Sequence, residues 1–77
     1  MTPFTDEQAH RIAKLAAEHV HAWEVVYAMR AVVEALPTTA QLRQRATVKA
    51  HLALAIAQAE ETWAQLVRAV KEAEAKP

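Results

Sequence analysis

The stretch "EHVHAW", residues 18 to 23, holds the side chains in this chain best suited to chemistry. Glu18 and His21 form a Glu-x-x-His, the unit that carboxylate-bridged binuclear metal proteins draw from their helices. Residues three apart lie on the same side of a helix, so the pair could share an ion. A bundle metal site also needs its ligands to point inward. Here the apolar stripe runs through His19, which sets His21 nearly opposite it and Glu18 on its shoulder. His19 and His21 diverge, Glu60 falls at the margin of the second helix, and Glu61 faces out. No metal and no cofactor is therefore expected. His19 reads as a core or interface histidine with one hydrogen-bond partner, and His21 as solvated.

Other chemistry is short of parts. The chain has no serine and no cysteine, and its threonines fall mostly at predicted helix starts. Without glycine there is no loop to cradle a nucleotide phosphate. Neither an enzyme nor a small-molecule substrate is expected. Arg43, Arg45 and Lys49 cluster early in the second half, and Arg30 approaches them from the first. Such a patch could meet phosphates. Against that stand a formal net charge of zero and no interleaved aromatics for base stacking. The preferred alternative is an internal polar layer, with Arg30 buried on the apolar face and paired to Glu34 one turn later or to a partner's carboxylate.

The elements that must position these residues are helical. Alanine supplies about a quarter of the 77 residues, and Gly is 0. One domain of residues 1–77 is expected, near the lower limit for a self-sufficient core. Pro37, in "EALPTTAQL", bars its predecessor from helical geometry and should end the first helix near Leu36. Two Thr-x-x-Gln capping boxes, Thr5 with Gln8 and Thr38 with Gln41, mark helix starts. Two helices follow, about residues 5–36 and 38–75, joined by a link short enough to make them antiparallel. "MTPFTDEQ" has neither a basic start nor an apolar run, and no segment approaches spanning length without charges. A cytoplasmic protein with no membrane contact is expected.

The apolar stripe of the first helix takes in Ile12, Leu15, His19, Ala22, Val26, Met29, Val33 and Leu36. That of the second takes in Leu52, Ile56, Ala59, Trp63, Leu66, Val70 and Ala73. Facing each other, they should set Phe4 near Val70 and Ile12 near Trp63. Residues 25–36 are apolar almost all round, and Leu54 points away from Leu52 and Ile56. One partner helix cannot cover that girth. Two hairpins pairing into a four-helix bundle homodimer is the expected solution. The expected interface holds Trp23, Val25, Val26, Tyr27, Met29, Arg30, Val32, Val33 and Leu54.

The function expected is thus a small non-enzymatic interaction module (adaptor, inhibitor or regulatory subunit) that dimerises and binds a protein partner. The alternative is a hairpin dimer that binds RNA or DNA through Arg30, Arg43, Arg45 and Lys49. A metal-binding bundle using Glu18 and His21 comes third. Histidine-kinase dimerisation domains are also hairpin dimers, but "HRIAK" and "HAWEV" lack the acidic residue and downstream proline usual at their phosphoacceptor histidine.

Overall fold

The computed structural model describes residues 4–75. They form two helices, α1 (Asp6–Ala35) and α2 (Leu42–Ala75), packed along each other as an antiparallel hairpin. The molecule measures 58 × 16 × 14 Å. Its long dimension is close to the length expected of 34 residues of α-helix, about 50 Å at the standard rise.

The start of α1 follows its local sequence. Thr5 is extended, its Oγ1 accepts from the Gln8 amide at 3.1 Å, and the Gln8 Oε1 accepts from the Thr5 amide at 2.9 Å. That is the expected capping box. Asp6 and Glu7 in the first turn face the positive end of the helix dipole. The helix ends as Pro37 dictates. Leu36 turns extended at φ −60°, ψ 129°, the region the residue before proline favours.

The second capping box does not form, and α2 begins at residue 42 rather than 38. Thr38 lies inside a turn in which the Ala40 amide donates to the Pro37 carbonyl at 2.9 Å. The Arg45 guanidinium donates to that same carbonyl at 2.8 Å. The first helical bond goes instead to Gln41, whose carbonyl accepts from the Arg45 amide at 3.1 Å. A tight turn held at Pro37 thus outcompetes the Thr38 cap.

The longer link changes the register. Arg11 faces Glu72 at 3.6 Å, and His19 faces Thr62 at 2.9 Å. Ile12 therefore shares a cleft with Ala69 and Ala73 rather than meeting Trp63, and the same register, read from the Arg11–Glu72 pair, offsets Val70 from Phe4 along the hairpin. Continued to the end of α1, this register sets Ala35 opposite the stretch from Ala46 to Val48. The first turn of α2 then runs past α1, leaving Leu42 85% exposed.

Every residue of the expected α1 stripe is buried or half-buried. In α2 the stripe holds except at Trp63, which is 55% exposed, while its neighbour Thr62 is buried. The seam itself is thin. Ala22, Val26 and Ala59 form its centre, with Leu52, Ala55 and Ile56 packed against them. Val26 is the one large side chain among the described residues with almost no exposure, at 1%. Burying a valine contributes roughly 1.5–3 kcal/mol, and alanines give less. Helices this rich in alanine approach closely and gain little from doing so. Among the described residues, no helix is long and apolar enough to cross a membrane.

Candidate functional site

A hairpin has two open flanks, and each carries a distinct set of side chains. On one, His19 sits half-buried among rings. Its centroid lies 5.3 Å from that of Trp63 and 6.2 Å from that of Trp23, and Tyr27 continues the row 6.0 Å beyond Trp23. Trp23, four residues on from His19, reaches back and donates its indole N–H to His19 Nε2 at 3.0 Å. That ring nitrogen therefore carries no proton, and in neutral imidazole the hydrogen is then on Nδ1. Nδ1 donates to Thr62 Oγ1, and the Thr62 hydroxyl donates in turn to the Ala59 carbonyl at 2.8 Å. The relay satisfies every polar group it passes through. No buried side-chain polar atom is left without a partner among the described residues.

His19 thus has two hydrogen-bond partners rather than the one expected, and Thr62 joins the site unannounced by the sequence pattern. The signal was present in principle: a threonine one position off the α2 stripe, opposite a histidine on the α1 stripe. Exploiting it required the inter-helix register, which the turn decides.

The opposite flank is an open groove of about 860 Å³ between the helices. Ala22 and Thr62 reach it from the seam, Ala17 and Ala55 keep it shallow, and Val25, Met29 and Leu54 supply its apolar surface. Lys14, Glu18, His21, His51, Gln58 and Gln65 border it. Glu18 and His21 thus line the same groove, with His51 contributed by the other helix. His21 is turned further toward the seam than its expected place opposite the stripe. All three are exposed, and no three His, Asp or Glu side chains among the described residues converge closely enough to hold a metal ion.

The expected interface residues divide between these surfaces. Trp23 and Tyr27 belong to the aromatic flank, and Val25, Met29 and Leu54 to the groove. Val32, one heptad beyond Val25, is exposed on the groove side. Val33 is half-buried at the seam. Val26 is a correction: it fills the seam within one hairpin and offers nothing to a partner.

Arg30 is a second correction. It is exposed, and the one ion pair among the described residues joins Arg11 to Glu72, so Arg30 is not buried and Glu34 does not hold it. Four residues after Val26 and three before Val33, Arg30 lies at the edge of the stripe. With a single neighbouring helix that edge stays open to water, which solvates the guanidinium without help. The basic cluster is also divided. Arg45 is half-buried and tied to the turn, while Arg43 and Lys49 are exposed. Glu60 and Glu61 are exposed too, and Glu61 accepts a hydrogen bond from Gln65 at 3.2 Å.

No protein-family model, curated protein or solved structure matches this chain.

Proposed function

We propose that the chain is a small, non-enzymatic interaction module that self-associates into a four-helix homodimer and presents its remaining surface to a protein partner. One observation carries this reading. Val20, Val25, Tyr27, Val32, Leu54 and Trp63 are exposed, while the fully buried apolar residues between the helices are, among the described residues, three alanines and Val26. Apolar side chains exposed on both flanks of so small a fold mark contact surfaces, and hairpins of this length without staples depend on association for stability. Sedimentation equilibrium at micromolar concentration is expected to return twice the monomer mass. A compact, fully helical monomer would overturn the reading.

Binding of RNA or DNA is the runner-up. Arg30, Arg43 and Lys49 are exposed and outside any ion pair among the described residues, which favours it. Arg45 is engaged at the turn and the chain is neutral, which weighs against it. A gel shift at physiological salt that Arg43→Glu abolishes would favour the runner-up over a protein partner.

A further inference from the structure

The chain exposes 6078 Å². A folded monomer of 8.5 kDa exposes about 4,700 Å² on the usual scaling of area with mass, so this chain carries an excess of about 1,400 Å². A stable interface removes about 800 Å² from each partner. The surplus is enough for one such interface, and the two flanks compete for it.

Their charges distinguish them. The groove is bordered by one cation, Lys14, and one anion, Glu18, the rest of its border being histidine and glutamine. A surface balanced in this way can meet a copy of itself without like-charge repulsion. Beyond the aromatic row, the cleft beside Trp63 carries Arg68 and Lys71 against Glu72, and Glu72 is already paired with Arg11. That cleft, with two cations to one already paired anion, is less evenly balanced than the border of the groove. The aromatic rings are also engaged with one another and with His19, whereas Leu54 is 68% exposed beside a trough floored by alanine.

We infer that the groove flank takes a second copy of this chain in a two-fold arrangement, each copy seating its Leu54 in the groove of the other. A two-fold axis makes one patch serve both sides, so a knob and a hole on the same face are what self-association requires. The inference rests on the self-association proposed above and adds which face performs it, leaving the aromatic flank outward.

Sedimentation equilibrium of the wild type, Leu54→Glu and Tyr27→Glu tests it, with circular dichroism to monitor helicity. The expected result is a dimeric wild type, a dimeric Tyr27→Glu and a monomeric Leu54→Glu. A dimer that survives Leu54→Glu but dissociates with Tyr27→Glu would overturn the groove assignment and leave self-association standing. A monomeric, helical wild type would overturn both. Should Leu54→Glu unfold, thiol alkylation replaces it, since the chain has no cysteine of its own. Leu54→Cys is expected to react more slowly as protein concentration rises through the dimerisation range, while Tyr27→Cys reacts equally fast throughout. A Leu54→Cys rate that does not change with concentration while Tyr27→Cys slows would overturn the groove assignment.

Discussion

His19 shows how much one side chain depends on its neighbours. Both ring nitrogens are used, one by the Trp23 indole and one by the Thr62 hydroxyl, and only the Nδ1–H tautomer serves both. Thr62→Val keeps the volume of the buried residue but removes the hydroxyl, leaving the His19 Nδ1–H without its partner. The expected loss is about 1–3 kcal/mol, the cost of stranding a desolvated polar group. Urea denaturation measures it, with Thr62→Ser, which keeps the hydroxyl, as the control. If Thr62→Val unfolds at the same urea concentration as wild type, the relay contributes nothing to stability. Arg30 makes the opposite point. A guanidinium in an apolar run invites a search for a carboxylate, yet water on an open edge serves it equally well.

At the scale of the element, two sequences of the same form behave differently. Thr5–Gln8 caps α1, while Thr38–Gln41 precedes a helix that starts after it. A capping box needs its first residue extended and the chain helical directly afterwards. Pro37 prevents this by sitting one residue upstream and offering its carbonyl to Ala40 and Arg45. Thr5→Ala is therefore expected to cost about 1 kcal/mol, and Thr38→Ala less than about 0.5 kcal/mol, as for an exposed residue outside any special contact. Thermal melts of the two variants make the comparison, and equal losses would show that both threonines cap.

For the whole molecule, the decisive quantity is the ratio of seam to surface. Among the described residues four apolar side chains are fully buried, three of them alanine, between helices of 30 and 34 residues. If a second copy completes the fold, unfolding is coupled to dissociation and the melting temperature rises with protein concentration. Calorimetry across a roughly hundredfold concentration range is expected to show that rise. A constant melting temperature would mean that the hairpin is stable alone.

The sequence by itself determined the helical class, the number of helices, the break at Pro37, the cap at Thr5 and all eight stripe residues of α1. Each of these depends on neighbours within a turn or two, where backbone sterics, amide satisfaction and the 3.6-residue period act directly. The tertiary structure decided the rest. It set the start of α2 and hence the register, turned Thr62 inward beside Trp63 so that both meet His19, and left Arg30 exposed. It also gathered Glu18, His21 and His51 along one groove. Those outcomes turn on which residue of one helix lies opposite which residue of the other. The six residues between the helices settle that through a carbonyl shared by an amide and a guanidinium, a competition that no periodicity along the chain records.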